Sequence, residues 1–273
     1  MSKKLRKQIV HLASFAVVAF LIYSNTLLTL GLILMLVACG VYDLGRNGAV
    51  DKHIVKKYFL GGGRNTWVLS PFNTLIDLLC KPNKHIYQLH DLPDACNREV
   101  RQVIEISLRH KFEIIRHLES RMHNNKRGML FFQWYGRSSS TQLNIPALQQ
   151  PFAYVKTVGV SVFNENQSTS FHFGPLRLML RVLYNISPPL HNEGVYIQVK
   201  QEKHYWHDQP LFIFDDTLLH ASYNNSSGKR YCLFIDIVRP SPVHRLLSGL
   251  VLLFSKLVFG LRRMFYKNWK PIE

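Results

Sequence analysis

Cysteine and acidic residues are both scarce in this chain of 273 residues. Only four cysteines occur and none forms a CxxC pair, which argues against a disulfide-stapled secreted scaffold and indicates reduced thiols, as in a cytoplasmic domain. Aspartate and glutamate number 17 against 34 lysines and arginines, a formal net charge of +17. This excess of positive charge predicts an anionic partner: nucleic acid, anionic lipid headgroups or an acidic substrate.

Several recognisable signatures are also missing. No zinc-finger spacing or other nucleic-acid module accompanies the positive charge, so we expect no nucleic-acid partner. The His-x₄-Asp spacing of acyltransferases does not occur, and there is no internal repeat or low-complexity tract. No protein partner is evident, so an anionic membrane lipid is the expected partner of the basic chain.

A long apolar segment follows the basic start of the chain. Residues 9–42 are almost uncharged, too long a stretch for a secretory signal peptide. As one helix it would be about 50 Å long, against a hydrocarbon core of roughly 30 Å. The polar triplet Ser24-Asn25-Thr26 divides it into halves of about 18 residues, and basic residues flank both outer ends. The positive-inside rule therefore predicts a transmembrane hairpin with both ends in the cytoplasm, and a single tilted or interfacial helix is the alternative.

A second apolar segment lies at the end of the chain. Leucine, valine and phenylalanine alternate there with cations such as Arg245, Lys256 and Arg262. Large apolar residues mixed with basic ones at helical spacing predict a basic amphipathic helix that contacts a membrane. A core helix packed on the domain is the alternative.

The periodicity changes near the middle of the chain. Residues 97–123 mix apolar and charged positions at helical spacing, which predicts one or two amphipathic helices. Beyond residue 128 the pattern alternates, with short β-forming runs between Pro, Asn and Gly turns, which predicts a β-sandwich or jelly roll. We therefore expect four parts, namely an N-terminal membrane anchor (1–45), a helical support region (46–127), a β domain (128–241) and a C-terminal membrane-contact helix (242–273).

Four polar side chains in the β region could build a reactive site: Ser161, His172, His220 and Arg230. Imidazole suits Fe(II), which oxygenases commonly hold with two histidines and one carboxylate. The turn between His220 and Arg230 fits a hairpin of two antiparallel strands, so both side chains could face one cavity. A guanidinium binds a carboxylate in a bidentate fork, so Arg230, helped by Ser161, could hold the far end of an iron-bound dicarboxylate. Because the chain has 13 histidines, spacing alone leaves open that both rings only pack near strands.

Short motifs follow one another in a fixed order from Ser161 onward. They are His172-Phe173-Gly174-Pro175, Leu180-Arg181, Phe214-Asp215-Asp216 with His220, Arg230, and Asp236-Ile237-Val238-Arg239-Pro240. Outside or between them lie Ser70-Pro71-Phe72-Asn73, Trp134-Tyr135-Gly136 and Tyr205-Trp206-His207-Asp208. As a set, these motifs resemble the aspartyl/asparaginyl β-hydroxylase family over about residues 128–240, and within it the bacterial lipid A hydroxylases.

The resemblance implies a mainly β fold: a double-stranded β-helix (jelly roll or cupin-like) domain with flanking helices, beside the transmembrane hairpin and the C-terminal helix. It implies Fe(II) bound by His172 and His220, 2-oxoglutarate held by Ser161 and Arg230, O₂ as the oxidant, and a substrate contact at Arg181. The implied activity is that of a 2-oxoglutarate-dependent dioxygenase that hydroxylates an acyl chain of lipid A or another membrane lipid. Such an enzyme would be a membrane protein with its catalytic domain on the cytoplasmic face.

Two positions depart from the family pattern. Lipid A hydroxylases usually carry aspartate where this chain has Gly174, whereas the aspartyl hydroxylases have glycine there and work with two histidine ligands. Both branches usually carry histidine where this chain has Leu183, which cannot hydrogen-bond a carboxylate. Two alternatives to lipid hydroxylation therefore stay open, namely β-hydroxylation of Asp or Asn in a polypeptide and, because of these two positions, a catalytically inactive lipid-binding relative.

Overall fold

A computed structural model places an antiparallel β domain next to a group of N-terminal helices. It describes residues 13, 16, 17, 19, 20, 23–48, 50–123, 125–187, 193–258 and 269–273. All four cysteines lie within these ranges and are free thiols, as the sequence predicts.

The helices precede the first long strand, apart from one short helix and one near the end of the chain. Those with both ends in the described part of the chain are α1 (Thr26–Gly45), α2 (Lys52–Leu60), α3 (Arg64–Val68), α4 (Ser70–Leu79), α5 (Asp94–Arg109), α6 (Lys111–Met122), α7 (Pro146–Gln149) and α8 (His244–Val258). On α5 the buried residues recur at the spacing of one helix face, at Val100, Val103, Ile104 and Ser107. The predicted amphipathic helices of residues 97–123 are therefore confirmed.

Helix α1 begins at the polar triplet that divides the apolar N-terminal segment. Its first turn is capped by Asn25, whose Oδ1 accepts a hydrogen bond from the backbone N–H of Leu28 at 3.2 Å. The helix has 20 residues and is long and apolar enough to cross a membrane, by length and composition. Most of the other half of the predicted hairpin lies outside the described residues.

The strands form two sheets that face each other. They are β1 (Ile86–Tyr87), β2 (Arg127–Trp134), β3 (Arg137–Ser138), β4 (Val155–Phe163), β5 (Gln167–Ser168), β6 (Met179–Asn185), β7 (Val195–Val199), β8 (Glu202–Tyr205), β9 (Leu211–Phe214), β10 (His220–Asn224), β11 (Arg230–Val238) and β12 (Lys270–Ile272). The larger sheet has the order β1-β9-β6-β11-β4-β2-β12, with β3 on β2, and the smaller has the order β5-β10-β7-β8. Apart from the parallel pair of β12 and β2, these strands pair antiparallel.

Along each strand of the larger sheet, successive side chains face opposite sides, so the sheet contributes to two cores. Val158, Val160 and Val162 of β4 pack with the apolar faces of α5 and α6. The residues between them face the other way, toward a second core that lies between the two sheets and includes Ile197 of β7. Because Ser161 lies in that alternate set, it faces the space between the sheets, where side chains from both sheets meet.

The turn after His220 does not close a hairpin, so this prediction was wrong. Strand β10 pairs with β5 and β7 in the smaller sheet, whereas β11 pairs with β4 and β6 in the larger one. The turn therefore crosses from one sheet to the other. Asn224 supports this crossing, because its side-chain amide donates to the backbone carbonyl groups of Asn164 at 2.9 Å and Gly228 at 2.8 Å.

The end of the chain differs from the single amphipathic helix that the sequence predicts. Helix α8 buries Leu247 and Val251 against the domain and leaves Leu246 and Leu253 exposed, so the alternative of a packed helix holds for one of its faces. The next part of that prediction, residues 259–268, lies outside the described residues. Lys270–Ile272 is a strand on β2 rather than helix. Proline has no N–H and is disfavoured inside a helix, so Pro271 suits an edge strand.

Candidate active site

His172 and His220 face each other across the edge of the smaller sheet. Each backbone N–H donates to the other residue's carbonyl at 3.0 Å, which forms an isolated antiparallel bridge. Residues directly opposite in such a bridge project their side chains on the same side of the sheet. The two imidazole rings accordingly lie with centroids 4.2 Å apart and line one cavity between the sheets.

Both imidazole rings are held in the same way. Nδ1 of His172 lies 2.8 Å from the carbonyl oxygen of Ser170, and Nδ1 of His220 lies 2.8 Å from that of Leu218. A carbonyl oxygen only accepts, so each Nδ1 carries the proton and leaves the Nε2 lone pair of each ring for a ligand. Burial lowers the pKa of His172, and burial together with His172 lowers the pKa of His220 well below its usual value. Both rings are therefore neutral, which is the form that binds metals.

The carboxylate of Asp216 occupies the space beside Gly174. A Cβ built on Gly174 would collide with all three carboxyl atoms of Asp216, and the backbone N–H of Gly174 donates to the carbonyl of Asp216 at 2.7 Å. Glycine at this position thus makes room for the carboxylate of a residue in the loop after β9. Burial raises the pKa of Asp216 to about 7, even though Arg181 at 2.9 Å favours the charged form.

Arg230 lines the same cavity, and part of its guanidinium is unsatisfied. It is 2% exposed, and its Nε and Nη1 have no hydrogen-bond partner among the described residues. The guanidinium carbon lies 4.2 Å from the ring centroid of Phe163 and 5.6 Å from that of Trp206. Burial lowers the pKa of Arg230, but an arginine remains charged in proteins. A buried cation with two open donors is suited to an anionic ligand.

The other two predicted site residues line the same cavity. The hydroxyl of Ser161 donates to the carbonyl of Cys232 at 3.2 Å. Arg181 lies with its guanidinium carbon 4.1 Å from the ring centroid of Phe234 and forms ion pairs with Asp216 at 2.9 Å and Asp236 at 3.0 Å. The structure therefore brings all five predicted side chains together, although Arg181 is engaged by two carboxylates.

Residues after α1 hold the segment that leads to His220, a contact that the sequence does not reveal. Nη2 of Arg46 lies 2.6 Å from Oδ2 of Asp215, a pair in which the side chains are 7% and 0% exposed. Oδ1 of Asn47 accepts from the backbone N–H of Leu219 at 2.8 Å. Burial opposes ionisation of Asp215, but Arg46 and Arg177 outweigh it and hold the pKa of this carboxyl below its usual range. The apolar helix is thus fixed to the loop that sets the position of the second histidine.

Helices α3 and α4 hold the segment that follows His172. Thr66 donates its hydroxyl to the carbonyl of Gly174 at 2.9 Å, and the side chain of Asn73 donates to the carbonyl of Pro175 at 3.1 Å. Oδ1 of Asn73 also accepts from the backbone N–H of Arg177 at 2.9 Å. The Ser70-Pro71-Phe72-Asn73 motif therefore supports the histidine segment from outside the sheets.

The strand at the end of the chain contributes to the rim of the site. Trp269 lies just before β12 and lines the cavity at the histidines as well as the adjoining outer cavity, which reaches Gly62 and Asn65. The Trp269 ring packs edge-on against Phe163 at 5.1 Å, and Arg127 lies over it at 5.2 Å.

The side chains present fit a ferrous ion and a dicarboxylate. Two neutral imidazoles with fixed Nδ1 atoms suit the metal, and the open donors of Arg230 suit the distal carboxylate. Across the ranges that the structure describes, no group of three or more His, Cys, Asp or Glu side chains is arranged for a metal. The donor set is therefore the two-histidine arrangement that the resemblance implies for a chain with glycine at position 174.

Comparisons with known proteins find a curated relative and distant similarities among solved structures. An ornithine lipid ester-linked acyl 2-hydroxylase from Rhizobium tropici is 28% identical over 111 residues, which are 38% of this chain and 40% of that protein. The chain thus aligns with about two fifths of that relative's length. Among solved structures, an oxidoreductase of the 2OG-Fe(II) oxygenase family from Burkholderia pseudomallei matches at 12% identity with a TM-score of 0.31, over 50% of this chain and 81% of that one. A Cupin_2 domain of a transcriptional regulator from Enterobacter cloacae matches at 15% identity with a TM-score of 0.25, over 29% of this chain and 78% of that one. Both structural similarities are too distant to support an argument.

The family model described as aspartyl/asparaginyl beta-hydroxylase matches residues 97–240. The match contains all five predicted site residues and begins further toward the N-terminus than the resemblance seen in the motifs. It confirms that resemblance, and the chain belongs to the aspartyl/asparaginyl beta-hydroxylase family.

Proposed function

We propose that this chain is an Fe(II)- and 2-oxoglutarate-dependent dioxygenase that hydroxylates an acyl chain of lipid A or another membrane lipid. The observation that carries the proposal is one cavity between two sheets that contains two neutral imidazoles and a buried guanidinium with open donors. This is the arrangement that a metal and a dicarboxylate on it require. We propose a double-stranded β-helix as the finer description of the two sheets.

Each site residue has a separate task in this proposal. His172 and His220 would hold Fe(II), and Arg230 with Ser161 would hold the distal carboxylate of 2-oxoglutarate. When bound, iron and 2-oxoglutarate supply the oxidation of an unactivated C–H bond by O₂, with succinate and CO₂ as co-products. The rings of Phe163 and Trp206 pack on the guanidinium of Arg230 and that of Phe234 packs on Arg181, and these apolar surfaces would limit the access of water to the reacting atoms. Arg181 would orient the substrate through its position between both cavities.

The surroundings of the outer cavity support a lipid substrate. That cavity reaches Gly62 and Asn65 in the segment between α2 and α4, next to the exposed apolar residues Leu60 and Val68. The segment packs on α1, whose exposed surface is almost entirely apolar. The similar Rhizobium protein is named for hydroxylation of a lipid acyl chain. An acyl chain could thus pass from a bilayer into the cavity without crossing water.

Membrane attachment through α1 is part of the proposal. The net charge of +17 would favour anionic headgroups, and basic residues and free thiols favour a catalytic domain on the cytoplasmic face. The division into an anchor (1–45), a support region (46–127), an oxygenase domain (128–241) and a membrane-contact segment (242–273) likewise stays a proposal. The alternatives are hydroxylation of Asp or Asn in a polypeptide, as the family name suggests, and an inactive relative.

Mass spectrometry of lipids from cells that express the chain tests the proposal. Wild type should add one oxygen atom to a lipid acyl chain, and H172A and H220A should abolish this product. Tyr223 offers a matched control because it lies on the same strand but stacks on Tyr196 at 4.6 Å, outside both cavities. Y223F should give the wild-type product. An unchanged lipid profile together with a hydroxylated polypeptide would refute lipid hydroxylation, and neither product together with absent Fe(II) binding would favour the inactive relative.

A further inference from the structure

We infer that Ser222 donates its hydroxyl to the distal carboxylate of the dicarboxylate cosubstrate, a role that the family resemblance does not assign to it. The inference rests on the proposed function. Ser222 lies two residues after His220 on β10, and successive odd or even residues of a strand share one face. Its partner across the sheet is Ile197, and both line the cavity that contains Arg230.

The hydroxyl of Ser222 is the one polar group of that residue left unsatisfied. Its backbone N–H donates to Oγ1 of Thr169 at 2.9 Å, and its carbonyl accepts from the backbone N–H of Thr169 at 2.9 Å. Its Oγ is buried and has no partner in the described part of the chain. A buried hydroxyl without a hydrogen bond costs free energy, so its position beside an anion site indicates a ligand.

Ser161, the hydroxyl that the resemblance assigns to the carboxylate, already uses its single proton. A serine hydroxyl has one hydrogen, and that of Ser161 is donated to the carbonyl of Cys232 at 3.2 Å. A carboxylate can only accept, so Ser161 would have to give up this bond to contribute. The proton of Ser222 is unclaimed, and it enters the cavity from the opposite sheet.

The residue that β6 contributes to this cavity also supports a role for Ser222. Leu183 lines the same cavity and cannot form a hydrogen bond, so it leaves an apolar position beside the anion. Among the described residues that line this cavity, the buried side-chain atoms without any partner are Nε and Nη1 of Arg230 from the larger sheet and Oγ of Ser222 from the smaller sheet. Together they could contact a carboxylate from two sides, which fixes its orientation better than one cation does.

Ligand binding by the full-length, Mn(II)-loaded protein tests the inference without turnover. We would measure the Kd of 2-oxoglutarate and of 2-oxobutyrate, a 2-oxo acid without the distal carboxylate, by calorimetry. S222A should weaken the affinity for 2-oxoglutarate by about 10- to 100-fold, which corresponds to the loss of one hydrogen bond to a charged group. The affinity for 2-oxobutyrate should not change. S222T should retain most of the affinity because it keeps the hydroxyl, and Y223F should match wild type.

The outcomes separate this inference from the proposed function. Equal affinity of S222A and wild type for 2-oxoglutarate would overturn the role of Ser222, as would a parallel loss of both acids. If wild type itself bound neither acid, the proposed function would fail. Thermal melting of S222A checks its fold, and we expect no loss of stability because its hydroxyl has no partner to lose.

Discussion

Substitution of Arg230 should have opposite effects on the binding of 2-oxoglutarate and on the stability of the ligand-free protein. The guanidinium is fully charged and buried, yet its Nε and Nη1 have no partner in the described part of the chain. If these donors await the carboxylate of 2-oxoglutarate, replacing Arg230 by methionine should strongly weaken binding and stabilise the ligand-free protein. Methionine has a similar reach and contains no polar hydrogen, so it can fill the space between the aromatic rings.

The size of both effects can be worked out from these contacts. Each unpartnered buried donor costs about 1–3 kcal/mol, and this cost disappears in R230M. Loss of the contacts to Phe163 and Trp206 offsets part of it, at about 0.5–2 kcal/mol each. The difference, a net gain of about 1–2 kcal/mol, would raise the Tm by a few degrees in a chain of this length. In contrast, removing one side of a buried charge pair costs about 2–5 kcal/mol of binding, or roughly 30- to 4,000-fold in Kd.

Two measurements check this prediction. Calorimetry of the Mn(II)-loaded protein in nanodiscs gives the Kd of 2-oxoglutarate, and thermal melting without ligand gives the stability. R230K serves as the control because it keeps the charge but not the fork, so its affinity should lie between those of R230M and wild type. A variant R230M that melts below wild type and still binds 2-oxoglutarate would refute the reasoning, since Arg230 would then be a structural cation.

Three further substitutions test the surroundings of the histidines. G174A should lower Fe(II) affinity by about tenfold or more and destabilise the fold by about 1–3 kcal/mol, because its methyl group would displace Asp216. Wild-type affinity in an iron titration and a wild-type Tm would contradict this. In the iron-free protein, the raised pKa of Asp216 means that the folded state keeps a proton that the unfolded state releases between about pH 4 and about pH 7. Wild-type stability should thus fall relative to D216N as the pH rises through that window, by at most roughly 4 kcal/mol, and parallel stability curves would rule this out. R46M should leave Asp215 buried without its closest cation and cost about 3–5 kcal/mol in chemical unfolding, whereas a cost below about 1 kcal/mol would mean that Arg177 alone satisfies this carboxylate.

The strands that carry the site could be predicted because their signal is local. The alternation of Val158, Val160 and Val162 with polar and small residues gives both the strand and the face of Ser161. The same period of two could have found Ser222, since it follows His220 by two residues on an inward-facing strand. The sequence does not single it out because a lone serine carries no chemical signature, and only its buried, unpartnered hydroxyl in the cavity distinguishes it.

Other features depend on contacts that no local pattern encodes. The turn after His220 has the composition of a hairpin, but the sheet that each flanking strand joins is decided by distant partners, β7 for β10 and β4 for β11. The pair of Arg46 and Asp215 joins residues that are 169 positions apart in different elements. The position of Asp216 beside Gly174 likewise appears only when the segment after His172 meets the loop after β9.

The contacts of Arg46 and Asn47 show that α1 is packed on the domain and not merely connected to it. A tether would need only a flexible connection to its domain, but here the residues that follow α1 form a buried ion pair with Asp215 and a hydrogen bond to Leu219, the residue before His220. Asp43, still within α1, forms a buried ion pair with Arg177. The apolar helix and the loop that leads to His220 therefore form one packed unit. In a bilayer, such a unit would hold the cavity at a fixed height and tilt relative to the lipid, so the depth of the reacting carbon along an acyl chain would be set by the packing of α1 against the domain.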